Sequence, residues 1–192
     1  MEKLTGLKKI KTAVFISGTG SNLKNIIKFS KQKKSPITIS LIFSNNHQAK
    51  GLKFANQFDI KKKIFNFKSY KEAEKKILFS LKREKIKFIC LAGFMKILSK
   101  NFIKKFDGKI INIHPSLLPK YKGLNTHFKA IKNKDKFAGC TVHFVTAKLD
   151  SGQIILQKKI KIANKDTSTS LAKKVLKQEH KLYPAAIMRI FN

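Results

Sequence analysis

Four short segments carry residue types that can do chemistry. Asn112 and His114 stand two apart in Ile111-Asn112-Ile113-His114-Pro115-Ser116-Leu117-Leu118-Pro119. On a strand, such positions share one side, so an amide and an imidazole can aim at one developing oxyanion. Two prolines stiffen the loop behind them. Asp150, in Leu149-Asp150-Ser151-Gly152, could orient or charge a histidine elsewhere. An Asp ahead of a Gly is also ordinary turn chemistry. Gly18-Thr19-Gly20-Ser21-Asn22 separates a strand-like run from a helix-like one. Glycines there let the backbone turn tightly, and the free N–H groups of a helix start favour an anion. It is neither GxGxxG nor the Gly-Lys-[Ser/Thr] phosphate loop, so it implies no dinucleotide or ATP site. Ala92-Gly93-Phe94-Met95-Lys96-Ile97-Leu98 could line the pocket of a flat aromatic ligand, or be core. The remaining histidines carry weaker signals: His47 in a loop, His127 in a short helix, His143 on a strand and His180 near the last helix. No two have the i, i+4 spacing of metal ligands, so no metal is expected.

The elements that must position these residues follow from periodicity. Strand-like runs are expected at Thr12–Ser17, Ile37–Phe43, Lys63–Phe67, Phe88–Ala92 and Lys109–Ile113. Helices are expected after Ser21, over Gln48–Phe58, Tyr70–Glu84 and Ser99–Phe106. The near-continuous apolar run Phe88–Ala92 suits a strand covered on both faces. This β-α alternation predicts an α/β fold with an open, mostly parallel twisted sheet and helices on both faces, Rossmann-like in kind. After Ile113 the pattern changes. A Pro-punctuated loop spans His114–Asn125, a short helix covers Thr126–Asn133, and two strands, Cys140–Thr146 and Ile154–Ile162, read as an antiparallel C-terminal extension. A last helix runs from about Asp166 to Phe191. One fused domain over 1–192 is expected, with halves at about 11–110 and 111–192.

Composition bounds the function classes. The chain has 192 residues, 42% of them hydrophobic, enough for a core without staples. Its two cysteines, Cys90 and Cys140, lie in apolar stretches without ligand spacing and read as buried thiols of a reducing compartment. No apolar run approaches the ~18 residues that span a bilayer. The N-terminal stretch has basic residues but no apolar core of a signal peptide. A cytoplasmic protein with no membrane partner is therefore expected. Forty-three Lys and Arg against ten Asp and Glu give +33. Only Arg83 and Arg189 are arginines, whereas nucleic-acid interfaces favour Arg. The lysines are spread along the whole chain, alongside abundant Ile, Phe and Asn, as A/T-rich codon usage would produce. No specific nucleic-acid partner is expected.

Taken together and in this order, Ile-Ser-Gly-Thr-Gly-Ser-Asn, Leu-Ala-Gly-Phe-Met-Lys-Ile-Leu, Ile-Asn-Ile-His-Pro-Ser-Leu-Leu-Pro-Lys-Tyr, Val-His-Phe-Val-Thr…Leu-Asp-Ser-Gly and Gln178-Glu179-His180-Lys181-Leu182-Tyr183-Pro184 resemble the formyltransferase family. The resemblance spans about residues 11–189. It implies small-molecule substrates: 10-formyltetrahydrofolate as one-carbon donor, used as a co-substrate without metal, and the amine of 5-phosphoribosylglycinamide as acceptor, in purine synthesis. It places Asn112, His114 and Asp150 on the family's catalytic triad. Gly18, Thr19, Gly20, Ser21 and Asn22 fall on the loop that holds the acceptor's phosphate, and Glu179 on its ribose contact. Met95, Lys96, Ile97 and Leu98 fall on the folate pocket, with Asn112, Val145, Thr146 and Asp150 closing around the pterin. Four positions depart from the family pattern: Lys96 stands for an Arg, Lys122 for a Pro, Asn125 for a His and Leu176 for a Gln. Two family rivals, the formyltransferase acting on methionyl-tRNA and the hydrolase of formyltetrahydrofolate, normally carry a further C-terminal or N-terminal domain, neither of which is expected here. A lysine-rich nucleic-acid module would explain the charge but not the triad. A monomer or a homodimer fits the sequence equally.

Overall fold

A computed structural model describes residues 9–191. Seven strands form one sheet in the order β3-β2-β1-β4-β5-β6-β7. They are β1 (Ile10–Ile16), β2 (Ile37–Ser44), β3 (Lys62–Ile64), β4 (Phe88–Leu91), β5 (Lys109–His114), β6 (Phe137–Phe144) and β7 (Ile154–Lys161). The first five run parallel, while β6 and β7 add on antiparallel. The helices are α1 (Ser21–Ser30), α2 (Lys53–Gln57), α3 (Tyr70–Arg83), α4 (Lys100–Lys105), α5 (Thr126–Lys132) and α6 (Ser168–Phe191). The expected sheet, with helices on both faces and an antiparallel extension, is present.

Strand alternation divides the core in two. Val14 and Ile16 pack with α1, α2 and α6 through Leu23, Ile26, Phe54, Leu171 and Tyr183 on one face. Ala13 and Phe15 pack with α3 and α4 through Ala73, Ile77, Leu81 and Phe102 on the other. All four residues of β4 are buried, as expected of a strand covered on both faces.

Three elements differ from the periodicity, the first being β3, which ends at Ile64, three residues before the expected Phe67. The helix expected over Gln48–Phe58 is a 3-10 turn, Lys50–Leu52, followed by the five residues of α2. Gly51 is drawn against the Gly18–Gly20 turn, its N–H donating to Gly18 O at 2.9 Å. A Cβ on Gly51 would lie 2.9 Å from Gly20 Cα, so the two glycines meet backbone to backbone. Strand β6 begins at Phe137, three residues before Cys140. Gly139 reads as a strand breaker. It is in the ladder because Lys158 O occupies the space that a Cβ at this position would need.

Candidate active site

Parallel strands deliver their carboxyl ends to one edge of the sheet, where open α/β folds bind ligands. Asn112 and His114 end β5. Asn112 pairs with His143, and His114 with Thr141, across the antiparallel β5–β6 ladder, so register alone puts a second histidine beside the expected pair. Asn112 Nδ2 lies 3.3 Å from His143 Nε2 and donates to Asp150 Oδ1 at 3.5 Å. The other carboxylate oxygen lies 3.4 Å from His114 Nδ1 and accepts the Gly123 N–H at 2.9 Å. Asn112, His114 and Asp150, scattered in sequence, thus meet, with His143 as a fourth member.

The two histidines are held differently. His114 Nε2 is 2.8 Å from Tyr121 O, and His143 Nδ1 is 2.8 Å from Phe144 O. A carbonyl can only accept, so these partners assign a proton to each of those nitrogens. His143 Nε2 is then free to accept from Asn112. Burial alone would raise the Asp150 pKa. The His143 ring 3.7 Å away, the Gly123 N–H and the nearby His114 outweigh it and hold the carboxyl below its ordinary value. Asp150 is therefore an anion at neutral pH, although its side chain is only 7% exposed. Its backbone sits at φ 44°, a left-handed conformation that Asp tolerates better than most residues.

The cluster opens onto a cleft of about 710 Å³. Met95, Lys96, Ile97, Leu98, Asn112, Val145, Thr146 and Asp150 all line it. Met95, Ile97, Leu124, Phe128 and Leu149 are exposed along it, an apolar surface suited to a flat ring system. At another part of the cleft Asn22 and Glu179 are both buried, and Asn22 Nδ2 donates to Glu179 Oε2 at 2.6 Å. Asn22 Oδ1 is buried without a partner, leaving an acceptor for a ligand hydroxyl or amide. Burial raises the Glu179 pKa, and the Asn22 bond opposes this. Gly18, Thr19, Gly20 and Ser21 do not line the cleft. They form the turn before Asn22, with Gly20 at φ 75° capping α1. That first turn holds no acidic side chain.

A profile of the formyl transferase family matches residues 10–187. The chain belongs to the formyl transferase family. Phosphoribosylglycinamide formyltransferase of Haemophilus influenzae is 42% identical over 180 residues, 92% of this chain and 85% of that protein. The Escherichia coli protein of the same name is 41% identical over 91% of this chain and 84% of its own length. The human trifunctional purine biosynthetic protein adenosine-3 is 42% identical over 95% of this chain, which spans only 18% of that protein. A crystal structure of phosphoribosylglycinamide formyltransferase from Brucella melitensis superposes with a TM-score of 0.90 at 41% identity, covering 95% of this chain and 96% of that one.

Against the family pattern, two of the four departures have local partners and a third suits its backbone conformation. Lys122 Nζ donates to Ser151 Oγ at 2.5 Å, tying its loop to the Asp150 turn without a proline. Asn125 caps α5 at φ 61°, a left-handed position where Asn is favoured. Lys96 Nζ lies 5.8 Å from the Tyr70 ring centre, a cation–π contact. Nothing in the structure explains Leu176. No helix among the described residues is long and apolar enough to cross a membrane. The two free cysteines are buried. Burial pushes Cys140 up to about 12 and raises Cys90 as well, so neither is a nucleophile at neutral pH.

Proposed function

We propose that the protein moves a formyl group from 10-formyltetrahydrofolate to the amine of 5-phosphoribosylglycinamide, a step of purine synthesis. The carrying observation is the meeting of Asn112, His114 and Asp150 at the wall of one cleft, with apolar side chains along it and Asn22 and Glu179 within it. The apolar wall takes the folate rings. Glu179 accepts from ribose hydroxyls, and the start of α1, with Gly18 to Asn22, holds the phosphate. The acceptor-holding residues lie mainly in the half at about 11–110 and the catalytic ones in the half at about 111–192, and the two act as a single domain.

The neutral amine nitrogen attacks the formyl carbon, and the carbonyl π electrons move to oxygen. Asn112 Nδ2–H stabilises the oxyanion, and His114 Nε2–H does so once it exchanges the Tyr121 carbonyl for that oxygen. One such donor contributes roughly 2.7–4 kcal/mol. Collapse re-forms the carbonyl and breaks the bond to the folate nitrogen. The ammonium proton leaves with help from the Asp150 carboxylate and reaches that nitrogen, so charge and protons balance. Mixing the purified protein with both substrates and following folate deformylation tests this. Deformylation that depends on acceptor and gives formylated acceptor is expected. Release of formate regardless of acceptor would overturn it in favour of hydrolysis.

A further inference from the structure

The wall segment from Gly93 to Leu98 has no helix or strand of its own, yet it must present Met95 and Ile97, 62% and 58% exposed, at a fixed distance from the opposite apolar side chains. It is pinned at both ends. At the first, Ser17 N–H donates to Gly93 O at 3.0 Å, and Ser17 Oγ accepts the Met95 N–H at 2.7 Å. At the second, both oxygens of one carboxylate converge on one residue. Glu74 Oε1 accepts the Ser99 N–H at 2.7 Å, and Oε2 accepts the Ser99 Oγ–H at 2.5 Å.

Glu74 is 5% exposed on α3, among helix neighbours whose buried members include Ala73, Ile77 and Leu81. A buried carboxylate is costly unless its acceptor sites are used, so an unneeded one would be a liability. Capping does not require it. Ser99 Oγ already accepts the Phe102 N–H at 3.0 Å and opens α4 as an N-cap. What Glu74 adds is location. It ties the residue that ends the wall to α3, which is itself packed on the sheet through Ala73, Ile77 and Leu81.

We propose that Glu74 is a positioning residue for the donor-binding wall: through Ser99 it fixes where Met95 and Ile97 stand, and so sets donor affinity rather than turnover. This rests on reading the cleft as the donor pocket. Glu74→Gln keeps one acceptor oxygen, so only one of the two Ser99 donors is still met. The donor KM should rise about five- to tenfold, the scale of one charge-assisted hydrogen bond, with kcat and acceptor KM within about twofold. Ser99→Thr retains both donors and should behave as wild type. Ser99→Ala removes the same contact and also the α4 cap, so it should raise the donor KM at least as much as Glu74→Gln, and adding Glu74→Gln to it should change little further. Equal rises in both KM values, or a loss confined to kcat, would overturn the proposal. Hydrogen exchange supplies a readout free of catalysis. In Glu74→Gln the amides of residues 95–102 should exchange faster while β4 and the rest of α3 keep their protection; exchange spread over α3 and β4 would mean a merely structural role. If wild type transfers no formyl group, the functional reading fails, and the exchange pattern still decides whether Glu74 holds this segment.

Discussion

Asp150 takes part in three contacts that a simple turn does not need: Gly123 N–H, Asn112 and His114. Asp150→Asn keeps the turn, because Asn serves it as well as Asp, but removes the charge. It should lower kcat about 10²–10³-fold with KM within about threefold, the signature of a contact made in the transition state. Unchanged turnover would remove Asp150 from the mechanism. The lowered Asp150 pKa also fixes a sign. A depressed carboxyl contributes fully above its ordinary 3.8 and is lost only as pH falls through its folded value. The acid limb of a wild-type pH–rate profile due to this group should therefore lie below 3.8. His143, 2% exposed, orients the Asn112 amide. His143→Phe should reduce kcat by up to about a hundredfold through misplacement of that donor, with near-normal melting; wild-type kcat would show that the contact is incidental. Asn112 and His114 are legible in the sequence because alternation on one strand puts them on one side. That Asp150 joins them depends on how a long stretch of intervening chain folds back, and only the family resemblance supplies it. His143 is missed because a histidine on a strand carries no signal until the antiparallel register, Asn112 opposite His143, is known.

Among the elements, α6 shows how a broken local rule is mended from afar. Pro184 lies inside its 24 residues. Without an N–H it leaves the carbonyl four residues earlier, His180 O, unbonded. Asn25 Nδ2 on α1 donates to that oxygen at 2.6 Å. Asn25→Ala should therefore destabilise the fold by about 1–2 kcal/mol, the cost of an orphaned, partly buried acceptor. In a Pro184→Ala background the restored backbone N–H should absorb most of that loss, a coupling readable from a double-mutant cycle in denaturant. Additive losses would show that Asn25 serves some other purpose. The helix is legible from its apolar spacing in spite of the proline, as are α3 and β4. The 3-10 turn at Lys50–Leu52 and the early start of β6 are not, because each is dictated by a partner's backbone: Gly20 against Gly51, and Lys158 O against Gly139. Glycines placed for long-range approach look like breakers when only their neighbours in sequence are known.

At the scale of the whole molecule, the fold class is readable from alternation alone, whereas the role of a +33 charge is decided by magnitudes. Ten acidic side chains cannot neutralise 43 basic ones. Lys61–Glu84, Lys120–Asp135 and Lys174–Asp166 are paired in the structure, each with a substantially exposed cation. Pairs of this kind contribute at most about 1 kcal/mol each and weaken as salt rises. Repulsion among the remaining lysines also weakens with salt, and it has far more members. The screening length decides which change is felt. At roughly 0.01 M salt it is about 30 Å, beyond the ~16 Å radius of gyration of a chain this long, so lysines repel across the entire molecule. At roughly 0.15 M it is about 8 Å, and only neighbours still interact. Removing the long-range repulsion should outweigh the weakened pairs. The melting temperature should therefore rise steadily from about 0.01 to about 0.15 M sodium chloride, and equally in potassium chloride, with phosphate left out so that none can bind at the start of α1. A melting temperature that falls with salt would mean that the ion pairs outweigh the repulsion. A rise seen only with phosphate would assign the effect to a bound anion at the start of α1 instead of to the diffuse lysine surface.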